Sequence, residues 1–318
     1  MLPAIRKSRN GVNRVLGSRS PRDATDLKER HHVEQIVEGY QAVLDDPKVD
    51  VVYIPLPNHL HAQWTIRALN AGKHVLCEKP FACNEREARE MAAAARANDR
   101  ILMEALMYRF HPRNQQIKQR VDQGDIGRPM LVHAAFTFHM DDATLARGDN
   151  VRLSPETGGG ALLDVGCYAV GTARWLMGRE PVAVQGMAAR QENGVDLLFS
   201  GLLDFGGHAH SSFEAGFITA LQQTFRVIGE RGAIELPHNA YIPWDADAGY
   251  VRRGTDEEQG MQIHVGRADE YQLMVEHFAD VVLGRTEQLI TPEESIRNMR
   301  VLDALADASR TGRAVQIE

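Results

Sequence analysis

In the first hundred residues, short apolar runs alternate with longer segments whose apolar residues recur at helical spacing. Within residues 59–73, for example, Leu60, Trp64, Ala68 and Leu69 fall on one stripe, which predicts an amphipathic helix. The predicted strands are residues 14–17, 50–54, 74–77 and 101–106. The predicted helices are residues 22–31, 39–44, 59–73 and 84–98.

Alternating helices and almost continuously apolar strands predict a doubly wound parallel sheet covered on both faces, an α/β fold. Ligands of such sheets bind beyond the carboxyl ends of the strands. Residues 55–58 (PLPN) and 78–80 (EKP) directly follow two of the predicted strands. We therefore expect these two segments to lie close together on one rim of the sheet.

After about residue 128 the pattern changes to consecutive strands connected by turns. These predicted strands are residues 129–138, 181–190, 196–204, 207–216 and 222–230. Consecutive strands favour a mixed or antiparallel sheet, and hence a second domain of the α+β class. Helical spacing returns between residues 269 and 311. We predict a first domain over residues 1–107 and a second over residues 108–318, with the C-terminal helices packed back on the first.

The composition is that of a soluble globular protein and argues against several functional classes. The 318 residues include 36 basic and 43 acidic side chains, a formal net charge of −7, so no basic surplus for binding nucleic acid exists. The sequence contains no apolar run of about 18 residues that would span a membrane, and its first residues do not resemble a signal peptide. The three cysteines, Cys77, Cys83 and Cys167, show no disulfide or metal-binding spacing. We therefore predict a cytoplasmic protein without a metal site.

Two segments contain residues suited to catalysis. HVLCEKP, residues 74–80, places Lys79 at the end of a predicted strand, next to a proline. GGGALLDVGCY, residues 158–168, contains Asp164 and Tyr168, which share one face if the segment is helical. A carboxylate and a phenol at this spacing can contact neighbouring hydroxyls of one small substrate. An ammonium group near Tyr168 would lower the pKa of the phenol, and Lys79 is the candidate for that charge.

Four segments in order along the chain carry a resemblance to a known family: VDVVYIPLPNHLHAQWTIRALNAGKHVLCEKP, LMEALMYRFHP, NVRLSPETGGGALLDVGCY and TPEESIRNMRVLDAL. The chain resembles the glucose-fructose oxidoreductase / inositol dehydrogenase (Gfo/Idh/MocA) family of NAD(P)-dependent enzymes. Many members have a histidine at the position of Tyr168. The tyrosine resembles the branch that contains glucose-fructose oxidoreductase, xylose dehydrogenase and the dimeric dihydrodiol dehydrogenases.

The resemblance implies a Rossmann domain and a catalytic pair of Lys79 and Tyr168, with Asp164 as a partner of substrate hydroxyls. It also implies that the Lys79–Pro80 peptide bond is cis, a conformation that is accessible before proline. The residues implied to lie along the cofactor are Pro55, Pro57, Asn58, His61, Glu78, Lys79 and Pro80.

Three arginines are further candidates for contacts with the cofactor or the substrate. Ser18 and Arg19 follow the strand at which NAD-specific enzymes usually carry an acidic residue. A hydroxyl and a guanidinium suit the 2′-phosphate of NADP better, so NADP is favoured over NAD. The alternative is that Arg19 is a surface residue that contacts only solvent. Arg109 and Arg152 are candidate substrate-binding residues, and each would equally suit the anchoring of a loop.

The sequence departs from the family at its beginning, where a first strand and a G-x-G-x-x-G loop are expected and not found. One interpretation is that the start of the chain has been misplaced. The other is that the shorter protein is authentic and binds the cofactor poorly or not at all.

Two functions follow from these observations. The first is oxidation of a secondary or hemiacetal alcohol of a sugar, polyol or diol by a homodimer or homotetramer. In it Tyr168 takes the hydroxyl proton, Lys79 assists electrostatically, and the carbon-bound hydrogen leaves as hydride to the nicotinamide. The alternative is a non-catalytic sugar-binding or regulatory protein derived from such an enzyme, which the shorter start would favour.

Overall fold

The structure is a computed structural model that describes residues 1–243 and 246–317. Its α-helices are α1 (Leu2–Lys7), α2 (Thr25–His31), α3 (Gln41–Asp45), α4 (His61–Asn70), α5 (Glu85–Ala97), α6 (Pro112–Asp122), α7 (Asp142–Arg147), α8 (Cys167–Met177), α9 (Glu270–Val282) and α10 (Pro292–Thr311). Its strands are β1 (Val15–Ser18), β2 (Gln35–Glu38), β3 (Val51–Ile54), β4 (His74–Cys77), β5 (Leu102–Glu104), β6 (Pro129–His139), β7 (Ala183–Arg190), β8 (Asp196–Asp204), β9 (His210–Gly216), β10 (Ile218–Gly229), β11 (Gly232–Leu236), β12 (Ala248–Gly254), β13 (Met261–Gly266) and β14 (Val315–Gln316).

The first five strands are parallel, as predicted, but they form two sheets instead of one. One sheet has the order β3-β4-β5 and the other pairs β1 with β2. Among the described residues no strand joins the edges of β1 and β3. The strand β2 was missing from the prediction, because its two central apolar residues are flanked by polar ones at both ends.

The helices of this region begin and end where the sequence signals indicate. The side chain of Asn84 accepts a hydrogen bond from the backbone amide of Glu87 at 3.0 Å and caps α5. The apolar stripe of α4 faces inward, with Ala68 and Leu69 fully buried. Gly72, with a φ of +77°, follows α4 in the left-handed conformation that ends many helices.

The second region is built on a sheet of nine strands in the order β13-β12-β11-β10-β6-β9-β8-β7-β14. Its neighbouring strands are antiparallel except β6 and β9, which are parallel, so the sheet is mixed, as predicted. The buried helix α8 packs against β6. The predicted fold class, a parallel Rossmann sheet followed by an α+β region, is confirmed.

The last long helix returns to the parallel sheet. The guanidinium of Arg300 on α10 contacts the Glu85 carboxylate at 3.0 Å, and the Glu85 amide donates to Asp303 at 2.8 Å. These contacts join α10 to the start of α5 and so connect the two regions. No helix of the described residues is both long and apolar enough to span a membrane.

Candidate active site

The loops that follow β3 and β4 lie side by side, because the register pairs Ile54, the last residue of β3, with Cys77, the last residue of β4. A cavity of 260 Å³ lies between these loops and a segment of the second region. The predicted residues that line this cavity are Pro55, Pro57, Asn58, Glu78, Lys79, Arg152 and Asp164. The structure thus brings together one rim of the parallel sheet and part of the GGGALLD segment.

The Lys79 side chain reaches from this rim to the second region. The Lys79–Pro80 peptide bond is cis. Lys79 Nζ donates to Asp164 Oδ1 at 2.8 Å and to the Asp164 carbonyl at 2.7 Å. The other carboxylate oxygen of Asp164 accepts from Arg152 Nε at 2.8 Å. Burial disfavours both charges, but the ion pair prevails, so the pKa of Lys79 is raised and the pKa of Asp164 is lowered.

Tyr168, the other predicted catalytic residue, lies beside this ion pair. The Lys79 ammonium is 5.3 Å from the centre of the Tyr168 ring. Both side chains line a second cavity of 330 Å³, together with Glu78, Asp164 and Arg152. The amine from the parallel sheet and the phenol from α8 therefore meet in one crevice.

The pKa of Tyr168 is raised, not lowered as predicted. Burial raises the pKa of Tyr168 well above its usual value, and the nearby Cys167 and Glu78 add to this effect. The ammonium lies over the ring face and is paired with Asp164, while the Tyr168 hydroxyl contacts the sulfur of Met107 at 3.6 Å. Tyr168 is therefore a protonated phenol at neutral pH.

The backbone that carries Asp164 differs from the α-helix assumed for the sequence. Residues Leu162–Gly166 form a π-helical turn that leads directly into α8. Packing within the protein requires glycine at position 159 of the preceding run, because a Cβ at Gly159 would lie 2.5 Å from the Arg152 carbonyl oxygen. The carbonyl of Gly158 accepts from the Asn58 side chain at 2.8 Å, so the glycine run also contacts the rim of the parallel sheet.

His61 and Pro80 lie beneath the rim and do not line either cavity, which corrects their predicted direct contact with the cofactor. The two ring nitrogens of His61 lie 2.9 Å from the Pro80 carbonyl oxygen and 2.7 Å from the Leu56 carbonyl oxygen. Burial lowers the pKa of His61. His61 thus connects the loop after β3 to the loop after β4.

Arg109 is also displaced from its predicted role, because it is buried and lines neither cavity. Its guanidinium lies 4.1 Å from the Trp175 ring centre and 3.6 Å from the Glu294 carboxylate. Stacking and ion pairing of this kind anchor a loop. Arg109 therefore anchors the chain after β5 instead of binding substrate.

Ser18 ends β1 and Arg19 follows it, and neither lines the cavities next to Lys79. The ring of Tyr40, which follows β2, contacts Trp64 of α4 at 5.1 Å, so the carboxyl ends of both parallel sheets share a rim. Arg19 is exposed and makes no hydrogen bond or ion pair with another residue in the described part of the chain. Its guanidinium is accessible to an anion at this rim.

The sequence analysis missed several residues that line the site. The Tyr53 hydroxyl donates to Glu78 Oε1 at 2.5 Å and so fixes the carboxylate beside Lys79. The side chains that complete the larger cavity are Met107, Phe136, Phe138, Val165, Leu221, Gln223, Ile242 and Tyr271. Half of these, Phe136, Phe138, Leu221 and Gln223, belong to strands of the large sheet, where they are indistinguishable by pattern from core residues.

A parallel α/β sheet with a cavity at the carboxyl ends of its strands is typical of dinucleotide-binding proteins, which include the nicotinamide-dependent oxidoreductases. Sequence comparison agrees with this class. The family described as "Oxidoreductase family, NAD-binding Rossmann fold" matches residues 2–106, and the "GFO/IDH/MocA C-terminal domain" matches residues 114–235. The chain belongs to the Gfo/Idh/MocA oxidoreductase family.

Two known proteins illustrate the similarity over nearly the whole chain. D-xylose 1-dehydrogenase (NADP(+)) 2 of Haloferax volcanii is 31% identical over 318 residues, which cover 100% of this chain and 95% of that protein. The crystal structure of KijD10, a 3-ketoreductase from Actinomadura kijaniata, in complex with NADP and TDP-benzene, is similar with a TM-score of 0.88. It is 29% identical, and the match covers 98% of this chain and 93% of that chain.

A trans-1,2-dihydrobenzene-1,2-diol dehydrogenase of Xenopus laevis is also similar. It is 31% identical over 230 residues, which cover 72% of this chain and 68% of that protein. The resemblance to xylose dehydrogenases and dihydrodiol dehydrogenases that the sequence motifs indicated is therefore confirmed.

Proposed function

We propose that this protein interconverts an alcohol and the corresponding carbonyl compound of a sugar-like, polyol or diol substrate, with NADP as the redox cofactor. The observation that carries this proposal is the position of the Lys79 ammonium 5.3 Å from the Tyr168 ring, in a cavity shared with Asp164. The similarity to the NADP-dependent xylose dehydrogenase supports the substrate class and the cofactor.

The residues at the rim suit a dinucleotide. Pro55, Asn58 and Glu78 form an open cavity at the carboxyl ends of the parallel strands, which is where such folds bind nucleotides. Arg19, exposed and free of protein partners in the described structure, suits the 2′-phosphate that distinguishes NADP from NAD. When bound, the nicotinamide takes the hydride from the substrate carbon, or gives it in the reverse direction.

The protein's own groups bind, orient and exchange a proton. The Lys79 ammonium stabilises negative charge that develops on the reacting oxygen, and Asp164 with Arg152 orients a neighbouring hydroxyl. Tyr168 transfers the proton. Because burial raises the pKa of Tyr168, it donates directly to a carbonyl oxygen at neutral pH, whereas alcohol oxidation requires the phenol to lose its proton first.

The proposed enzyme has a cofactor domain over residues 1–107 and a substrate domain over residues 108–318, and it acts in the cytoplasm as a homodimer or homotetramer. The outer face of the large sheet supports self-association. Met187 and Leu202 are exposed on this face, where Gln185 pairs with Leu202 and Met187 pairs with Ser200. Exposed apolar side chains on a broad sheet favour contact with a second copy of the chain.

The test of the proton-transfer role is a pH profile in both directions. With NADP and an alcohol, the rate of oxidation is expected to rise about tenfold per pH unit between about pH 7 and pH 10, because the pKa of Tyr168 lies above this range. With NADPH and the ketone, the rate is expected to stay nearly constant over the same range. The Tyr168→Phe variant is expected to lose roughly 10²-fold in the rate of reduction at neutral pH.

Tyr250→Phe provides the control, because Tyr250 lies on β12 and lines neither cavity. It should retain the wild-type profile. An unchanged rate of reduction and an unchanged pH profile in Tyr168→Phe would exclude Tyr168 as the proton-transfer group.

A further inference from the structure

The larger cavity has two walls of opposite chemistry, and they come from different parts of the fold. One wall carries Glu78 and Lys79 from the rim of the parallel sheet, together with Asp164 and Arg152. All four of these side chains are ionisable. The opposite wall is formed by β6, β10 and the chain after β11.

The strand register places Phe136, Phe138 and Gln223 of the second wall on one face of the large sheet. Gln223 of β10 pairs directly with Phe136 of β6. Phe138 lies two residues beyond Phe136 and so points to the same face. Leu221 lies in an irregular stretch of β10, between Ile218 and Gln222, and lines the same cavity. Ile242 completes this wall. We call these five residues the sheet wall.

Gln223 is the one polar member of the sheet wall, and part of its side chain is already engaged. Its Oε1 accepts a hydrogen bond from the backbone amide of Ile242 at 2.9 Å. A ligand hydroxyl at this wall can therefore use the remaining Gln223 amide group, while the other four side chains offer no hydrogen bond. A hydroxyl that is buried without a partner costs about 1–3 kcal/mol.

Resting on the function proposed above, we propose that the preferred substrate is amphipathic. The reacting carbon and an adjacent hydroxyl face the charged wall, and a deoxygenated or hydrocarbon part of the ring packs against the sheet wall. The chemical class is a cyclic vicinal diol or a deoxy sugar, in preference to rings that carry hydroxyls on every carbon. The volume of 330 Å³ is at the small end of ligand cavities, which favours a single ring.

The test uses two matched pairs of probes, trans-cyclohexane-1,2-diol against myo-inositol, and D-fucose against D-galactose. Myo-inositol carries four more ring hydroxyls than the cyclohexanediol, and D-galactose carries one more hydroxyl than D-fucose, on the carbon attached to the ring. With NADP, we expect kcat/KM to favour the deoxygenated member of each pair by roughly tenfold or more, because each unpaired hydroxyl at the sheet wall weakens binding. Saturation-transfer NMR with the NADP-bound protein measures the same preference in binding, independently of turnover.

Leu221→Gln adds hydrogen-bonding groups to the sheet wall at a position that is 61% exposed, so the fold should tolerate it. We expect this variant to reduce the preference in both pairs at least threefold, which corresponds to about 0.7 kcal/mol. Leu283→Gln is the matched control, since Leu283 is 55% exposed at the end of α9 and lies outside the cavity. It should retain the wild-type preference.

The two proposals fail in different ways. Equal or stronger binding of the fully hydroxylated probes by the wild-type protein would overturn the amphipathic substrate, even if the enzyme oxidises them. A preference that is unchanged in Leu221→Gln would overturn the role of the sheet wall. Selective binding of the deoxygenated probes without oxidation of any of them would support the sheet wall and contradict the proposed reaction.

Discussion

Replacing Lys79 with methionine is expected to lower kcat by roughly 10³-fold, the combined effect of removing an electrostatic group and disturbing proton transfer. Methionine keeps an unbranched chain of similar length but has no charge. The Asp164 carboxylate would remain paired with Arg152 at 2.8 Å, so the cavity should persist and the variant should fold. Steady-state rates at saturating NADP, with circular dichroism to check folding, measure this effect.

Lys48→Met is the appropriate control, because Lys48 is an exposed residue in the turn before β3. It should have wild-type rates. If Lys79→Met lost activity only through a higher KM for the substrate, Lys79 would bind substrate and transition state equally and would not be a catalytic group.

Replacing Glu104 with glutamine is expected to change how the stability of the protein depends on pH. Glu104 ends β5 and is buried, and neither of its carboxyl oxygens makes a hydrogen bond of good geometry among the described residues. Burial, with a smaller effect from Glu294, raises the pKa of Glu104 from 4.5 to about 7, although the Ser295 hydroxyl and the Phe81 amide lie near enough to oppose this rise. The carboxyl therefore carries its proton in the folded protein at mildly acidic pH.

The sign of the effect follows from proton binding. Between pH 4.5 and about 7 the folded state holds a proton on Glu104 that the unfolded state has lost, so stability decreases as the pH rises. From about pH 5 to pH 8 this decrease amounts to roughly 2–3 kcal/mol in the free energy of unfolding. Glu104→Gln should lack it, because glutamine does not titrate.

Urea unfolding of both proteins at about pH 5 and pH 8 measures this difference directly. Asp303, with a pKa raised mainly by burial to about 6, titrates in the same range but contributes equally to both proteins. Glu29→Gln, at an exposed position of α2, should leave the wild-type dependence unchanged. Parallel stability profiles for the wild type and Glu104→Gln would show that Glu104 is already ionised in the folded protein.

The parts of the fold that the sequence predicted are those with a strong local signal. Local sequence alone predicts β3 and β4 from their apolar runs, and the start of α5 from the Asn84 cap. The strands β11 to β13 were not predicted, because each contains glycine and is stabilised by its neighbours in the large sheet. The predicted parallel sheet is divided in two because, among the described residues, no strand joins the edges of β1 and β3.

In the candidate site, too, only the residues that belong to local sequence motifs were predicted. Lys79, Asp164 and Tyr168 were found from motifs, and the structure brings them together. The raised pKa of Tyr168 was not foreseen, because the sequence does not show that Asp164 already pairs with Lys79 or that the phenol is buried. The burial of Arg109 likewise follows from Trp175 and Glu294, which are distant in sequence.

A crystal structure with NADP and trans-cyclohexane-1,2-diol bound would test the central claim most directly, namely that Lys79 and Tyr168 act on one substrate oxygen. The account predicts that one hydroxyl oxygen of the diol lies within about 3 Å of both Lys79 Nζ and the Tyr168 hydroxyl. A diol that binds with its oxygens beyond hydrogen-bonding distance of either group, while the nicotinamide faces the ring, would contradict it.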